Sequence, residues 1–193
     1  MYPAIFLDRD GVIIENRSNY VRSWADVQIY PQALNALANI SESQYKIVVV
    51  TNQSVVGRGY ISLEMANEIN DRFIAEINKH GGRIDGVYMC PHAPEDNCKC
   101  RKPQPGLLLK AAQDLSVNLE QSVMIGDALS DLQAGQFAGV CQTMLVRTGR
   151  GTEQATLSQS SDLKPFLIFD TLSDALSFTK LTPPSTFQPS TQQ

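Results

Sequence analysis

Three features of the sequence predict an α/β fold built on a doubly wound, mostly parallel sheet. Ala4–Leu7, Ile47–Val50 and Val123–Gly126 are continuous apolar runs, the pattern of strands buried on both faces and not the alternation of a half-exposed antiparallel sheet. Segments of helical periodicity lie between them, so the strands can be joined by right-handed crossovers. The runs also end alike, each at a polar residue: Asp8, Thr51 or Asp127. In a parallel sheet the carboxyl ends of the strands share one edge, where ligands bind. Three residues far apart in sequence can therefore converge.

The elements follow in order along the chain. Ala4–Leu7 is the first strand, and Gly11 frees the turn after it. From Ile14 to Tyr30 the chain is polar and irregular. Pro31 opens a helix with Leu34, Leu37 and Ile40 on its apolar side, ending near Ser43. Lys46–Thr51 is the second strand and residues 52–59 a loop. Ser62 caps a helix that runs through Lys79, with His80 at its C-terminus as a partner for the dipole, and Gly81-Gly82 stops it. Ile84–Met89 is a third strand leading into a cysteine-rich loop. A helix after Gly106 carries Leu107, Leu108, Ala111, Ala112 and Leu115. Val123–Asp127 forms a strand, 131–138 a short Ala-rich helix, 143–146 and 166–169 two more strands, and 173–180 a last helix. The sum is a Rossmann-like sheet with helices on both faces, in one domain spanning 1–180. From Leu181 to Gln193, Pro, Ser, Thr and Gln dominate, which predicts a disordered tail.

Composition narrows the class of function. The 193 residues are 42% hydrophobic and 19% charged, ordinary for a globular protein, and the net charge of −4 offers no electrostatic footprint for nucleic acid. Met1-Tyr2-Pro3 runs straight into the first strand, leaving no room for a secretory leader, and no apolar run is long enough for a membrane span. The expectation is a cytoplasmic monomer acting on a small molecule. Three of the four cysteines, Cys90, Cys98 and Cys100, fall close together while Cys141 stands apart as a small hydrophobe. That clustering points to metal or redox chemistry and away from a disulfide framework.

Asp8 and Asp10 could be an ordinary acidic strand-to-loop turn, but the residues downstream supply complementary chemistry. Asp8, Asp10 and Asp127 are hard oxygen donors of the kind Mg²⁺ takes together with waters and phosphate oxygens. Thr51 offers a hydroxyl, and Asn52, Gln53 and Ser54 open a loop whose N–H groups suit phosphate oxygens. Lys102 is a point cation for a phosphoryl group, and Arg101 can grip a second anion bidentately. A carboxylate can attack phosphorus to form an aspartyl-phosphate: Asp8 suits that role and Asp10 the proton shuttle. Asp131 is either a residue that orients the site from behind or a helix N-terminal acid favoured by the dipole.

Asp8-Arg9-Asp10-Gly11, Thr51-Asn52-Gln53, Lys102 and Gly126-Asp127 followed by Asp131 resemble, in order, the four motifs of the haloacid dehalogenase-like phosphatases. The resemblance covers roughly residues 4–149. It implies Asp8 as nucleophile, Asp10 as acid and base, and Mg²⁺ held by Asp8, Asp127 and the main-chain carbonyl of Asp10. Thr51 and Lys102 would steady the phosphoryl group.

Cys90, His92, Cys98 and Cys100 form a Cys₃His set suited to tetrahedral, structural Zn²⁺, which would order the loop and aim Arg101 and Lys102. Four such ligands directly before Arg-Lys-Pro resemble the D-glycero-D-manno-heptose 1,7-bisphosphate 7-phosphatases and the related histidinol phosphatases. Thr51-Asn52-Gln53-Ser54 with Arg58-Gly59, and Leu145-Val146-Arg147-Thr148-Gly149, resemble the heptose branch. Arg101 would then recognise substrate, and the segment around Arg17 and Tyr20 would be a small substrate loop over a site with a minimal cap. Two positions depart from the pattern: Val12 stands where many relatives have Thr, and Ala128 where heptose enzymes often carry Lys. A phospho-accepting receiver domain or binding domain is the competing class, but its acceptor does not lie on the first strand and no zinc loop interrupts it.

Overall fold

The computed structural model describes residues 1–157 and 163–181. Its elements are β1 (Ala4–Leu7), α1 (Pro31–Asn39), β2 (Lys46–Asn52), α2 (Ser54–Gly57), α3 (Leu63–Lys79), β3 (Gly86–Cys90), α4 (Gly106–Asp114), β4 (Val123–Gly126), α5 (Leu129–Ala138), β5 (Gln142–Val146), α6 (Gly151–Leu157), β6 (Leu167–Phe169) and α7 (Leu172–Leu181). The six strands form one sheet in the order β3-β2-β1-β4-β5-β6, and every neighbouring pair is parallel.

Strand side chains alternate between two cores. Ile5, Leu7, Ile47, Val49, Val123 and Ile125 face one side, under α1, α3 and α7. Ala4, Phe6, Val48, Val50 and Met124 face the other, under α4 and α5. Burial on both sides is why these strands read as unbroken apolar runs.

The strand order reverses between β1 and β4, so a crevice opens beyond their carboxyl ends, the usual ligand position of such sheets. Leu7 pairs with both Val49 and Ile125, and the Asp8 N–H donates to the Ile125 carbonyl at 3.0 Å. Register therefore sets Asp8 level with Val50 and Gly126, with Thr51 and Asp127 one residue further along their strands.

Several boundaries differ from the expectation. Residues 52–59 are not wholly a loop: Ser54–Gly57 is a helical turn, too short for any periodicity to reveal. Helix α6 was not expected, because Gly151 is its one buried residue and it carries no apolar stripe. Helix α1 stops at Asn39, not Ser43, and the Ser41 hydroxyl closes the turn onto the Ala38 carbonyl. Strand β3 starts at Gly86, not Ile84, because Asp85 is engaged across β2, donating its N–H to the Ile47 carbonyl and accepting the Ile47 N–H on Oδ2, both at 2.8 Å. Helix α5 begins two residues earlier than expected, at Leu129. Leu181 belongs to α7 and not to the tail, and residues 182–193, expected to be disordered, lie outside the described residues. Among the described residues, no helix is long and apolar enough to cross a membrane.

Candidate active site

Asp8 leaves β1 into the crevice with its side chain 7% exposed. Lys102 reaches it from the segment before α4, 94 positions away, and Nζ donates to Asp8 Oδ1 at 2.8 Å and to the Val50 carbonyl at 2.7 Å. The same ammonium lies 2.7 Å from Asp131 Oδ1. Burial pushes the Asp8 carboxyl up, the Lys102 charge pulls it down, and Asp131 and Asp10 raise it again, leaving it at about 6. Burial alone would lower the Lys102 ammonium, but Asp131 and Asp8 outweigh it and hold the pKa above the ordinary value. Lys102 is thus a charged, fully engaged buried lysine. Its main chain is clamped as well: the Asn52 side chain donates to the Lys102 carbonyl at 3.0 Å and accepts the Lys102 N–H at 3.1 Å.

Asp10 sits on the other flank. Gln53 Nε2 donates to its Oδ2 at 2.8 Å, the Thr51 hydroxyl lies 3.4 Å away, and Arg9 forks onto both of its oxygens at 3.0 and 3.3 Å. Gln53 also donates to Thr51 Oγ1 at 2.9 Å. Arg9 is 2% exposed and donates from Nη1 to Asn70 Oδ1 at 2.7 Å. An arginine in a strand-end turn reads as a surface residue, so its structural role was not legible. The Asp10 carboxylate is committed to these three residues and retains 22% exposure toward the cleft, a suitable position for exchanging a proton.

Asp127 follows β4 and is fully buried. Gly11 (φ +90°) and Gly149 (φ +58°) press on it so closely that a Cβ on either would collide with its Oδ2. Arg150 donates its main-chain N–H to Oδ2 at 2.9 Å and its Nη2 to Oδ1 at 3.1 Å. Burial and the neighbouring Asp8 raise the Asp127 pKa against the pull of Arg150. Asp131, in the first turn of α5, serves both of the roles open to it: Oδ2 accepts the Ala128 N–H at 3.0 Å, and Oδ1 pairs with Lys102. Asp8, Asp127 and Asp131 each place an oxygen within 4.8 Å of the others, a hard-donor cluster that can hold a divalent cation. The Asp10 carboxylate is not in that cluster, which leaves its main-chain carbonyl as the atom the resemblance assigns to the metal.

The cysteine loop packs beside this site. The sulfurs of Cys90, Cys98 and Cys100 lie 3.3, 3.4 and 3.5 Å apart, and His92 Nδ1 is 3.3 Å from Cys100 Sγ and 3.6 Å from Cys90 Sγ. Zn–S bonds of about 2.3 Å imply tetrahedral edges of roughly 3.8 Å, so these separations suit a closed four-ligand site. Burial raises the Cys98 thiol, but hydrogen bonds from the Arg101 N–H and the neighbouring thiols bring it down to about 7, toward the thiolate that metals bind. The loop is tied to α2, with the Gln53 N–H on the Cys90 carbonyl and the Gly57 N–H on the Pro91 carbonyl, both at 2.8 Å. Cys141 stands apart, its thiol donating to the Ser122 carbonyl at 3.0 Å.

Over the crevice lies a cleft of about 440 Å³ whose floor holds Asp8, Asp10 and Thr51. Ser54 lines its wall, and Arg17, Arg58, Arg101 and Arg150 stand around it. Arg17 donates to the Asp26 carbonyl at 3.0 Å, while the Asp26 carboxylate accepts the N–H groups of Arg22 and Ser23 and so braces the loop. Tyr20, at φ +63°, lies at the mouth against Tyr60, ring centroids 5.8 Å apart. Arg101 donates to the His92 carbonyl at 3.4 Å. The crevice thus gathers every expected phosphate- or substrate-binding residue, with Asn52 facing Lys102. Asn16, Ser130 and Arg150 join the lining unanticipated, because single polar residues in loops carry no sequence signal of their own.

Comparison with known proteins is specific. The family model described as HAD-hydrolase-like matches residues 99–175. The chain is 39% identical over 155 residues to D-glycero-beta-D-manno-heptose-1,7-bisphosphate 7-phosphatase of Bordetella bronchiseptica, covering 80% of this chain and 85% of that one. It is 37% identical over 175 residues to the enzyme of the same name from Neisseria meningitidis serogroup B, covering 88% and 90%. Among solved structures, the D,D-heptose 1,7-bisphosphate phosphatase of B. bronchiseptica, complexed with magnesium and phosphate, superposes with a TM-score of 0.86 at 32% identity, over 93% of this chain and 98% of that one. With such identity held over most of both chains, the protein belongs to the haloacid dehalogenase-like D-glycero-β-D-manno-heptose-1,7-bisphosphate 7-phosphatase family.

Proposed function

We propose that the chain removes the 7-phosphate of D-glycero-D-manno-heptose 1,7-bisphosphate through an aspartyl-phosphate on Asp8. The observation that carries this reading is the placement of Asp8: at the switch point of the sheet, 2.8 Å from a buried lysine, on the floor of an arginine-rimmed cleft. In the first step Asp8 attacks phosphorus, forming the acyl phosphate and breaking the bond to O7 of the sugar. Asp10 protonates the departing alkoxide. In the second step Asp10 takes a proton from water, which attacks the acyl phosphate, releases inorganic phosphate and restores the Asp8 carboxylate. Thr51 and Lys102, the latter by giving up one of its three acceptors, hold the phosphoryl oxygens, and Arg101 with Arg17 and Tyr20 receives the rest of the bisphosphate. Mg²⁺ on Asp8, Asp127 and the Asp10 carbonyl would neutralise charge on the transferring group. Zn²⁺ on Cys90, His92, Cys98 and Cys100 would fix the loop that delivers Arg101 and Lys102. The reading includes action as a monomer in the cytoplasm, a reducing compartment in which Cys90, Cys98 and Cys100 stay available to a metal.

The test is phosphate release with Mg²⁺, comparing heptose 1,7-bisphosphate with histidinol phosphate. A large kcat/KM preference for the bisphosphate, lost on chelation, is expected. Preference for histidinol phosphate would move the substrate while keeping the chemistry, and no turnover on either would overturn the reading.

A further inference from the structure

We propose that Arg150 is a built-in counterion of the cation site: its guanidinium holds Asp127 while the site is empty and vacates it when a divalent cation enters. The inference rests on the proposed reading of Asp8, Asp127 and the Asp10 carbonyl as that site, with Asp131 as the neighbouring carboxylate.

Formal charge supports the exchange. Asp8, Asp127 and Asp131 bring three negative charges within 4.8 Å of one another. Lys102 lies on Asp8 and Asp131, and Arg150 lies on Asp127, so these five side chains together carry a formal charge of −1. Asp10 is matched separately by Arg9. A divalent cation added to this arrangement would take the cluster to +1, with the guanidinium against the incoming ion. Release of Arg150 brings it to 0.

Which cation must leave is decided by burial. Lys102 is 3% exposed, and three oxygen acceptors hold its ammonium in place. The Arg150 side chain is 51% exposed, lines the cleft, and can swing into solvent or toward a bound anion. Its two side-chain contacts to Asp127, at 3.4 Å from Nε and 3.1 Å from Nη2, are the ones that break. The main-chain N–H bond to Oδ2, at 2.9 Å, belongs to the turn held by Gly149 and persists, so Asp127 keeps its orientation through the exchange. Arg150 is therefore a positioning residue: it holds a buried carboxylate in orientation when no cation is bound and competes with the ion that replaces it.

The test uses the full chain dialysed free of Mg²⁺ at pH 8 with its zinc retained, with Mg²⁺ binding measured by calorimetry and thermal unfolding followed with and without Mg²⁺. Arg150→Met keeps the main-chain bond and removes the charge. The expected result is Mg²⁺ binding about tenfold tighter than in the parent, since a charge-assisted pair no longer has to be broken. The Mg²⁺-free Tm should fall, and the difference should close at saturating Mg²⁺. Arg150→Lys, which keeps the charge but cannot fork onto both oxygens, should fall between the two and covers the case in which the methionine variant folds poorly. Equal or weaker Mg²⁺ binding in both variants, or a Tm loss that Mg²⁺ does not reduce, would overturn the proposal. No Mg²⁺ binding by the parent protein would instead remove the cation reading itself, and the inference with it.

Discussion

Asp8→Asn should abolish turnover and, in metal-free protein, raise stability. In the folded chain the Asp8 carboxyl titrates at about 6 against 3.8 for the free group, chiefly through burial. A raised carboxyl pKa means that the folded state binds the proton more tightly than the unfolded state does. The penalty for ionised Asp8 is therefore absent below the unfolded value, grows as pH rises between the two, and is complete above the folded one. A rise from 3.8 to about 6 corresponds to about 3 kcal/mol at pH 8 and roughly half of that at pH 5. Asparagine resembles the protonated acid, and Lys102 keeps Asp131 and the Val50 carbonyl, so no buried charge is orphaned. Urea unfolding in chelator at the two pH values checks this: the variant should gain roughly these amounts, and added Mg²⁺ should stabilise the parent more than the variant. A variant less stable than the parent at pH 8, or a gain that does not change with pH, would refute the electrostatic reasoning. Turnover near the parent level would refute Asp8 as the nucleophile.

Three further substitutions probe the supports of the site. Lys102→Met leaves Asp8 and Asp131 facing each other without their shared cation; chelated protein should lose about 3–5 kcal/mol in urea unfolding, and adding Asp131→Asn should return part of it, whereas strictly additive effects would contradict the pairing. Cys98→Ser should bring zinc below one per chain by metal analysis and lower Tm, and full zinc retention would contradict the ligand set. Gly149→Ala places a methyl group against the Asp127 carboxylate at φ +58°; a loss of at least about 1–3 kcal/mol, with a large fall in kcat, is expected, and wild-type kinetics would show that the close approach does not matter.

Much of this architecture was legible because local chemistry and tertiary role coincide. Strands β1, β2 and β4 are buried on both faces, so their sequences cannot alternate, and a carboxylate or hydroxyl straight after such a run marks a sheet rim. Ser62 capped α3 as expected, accepting the Met65 N–H at 3.2 Å, and His80 closed its far end with Nδ1 2.8 Å from the Glu76 carbonyl. The close spacing of Cys90, His92, Cys98 and Cys100 made their cluster readable for the same local reason. Helices α2 and α6 escaped notice because a single turn and a mostly exposed helix leave no periodic trace.

The sequence by itself determined which residue types stand at the strand ends and in what order. It could not determine which carboxylate meets which cation. Lys102 is 94 positions from Asp8 and Asn70 is 61 from Arg9, and only the packing of the crossovers onto the sheet sets those distances. The tertiary structure decided that Asn52 clamps Lys102, that Arg9 is buried behind Asp10, and that Arg150 rests on Asp127. Each is a charge or hydrogen-bond balance within a few ångströms, and electrostatic partnership depends on separation in space and burial, neither of which sequence position encodes.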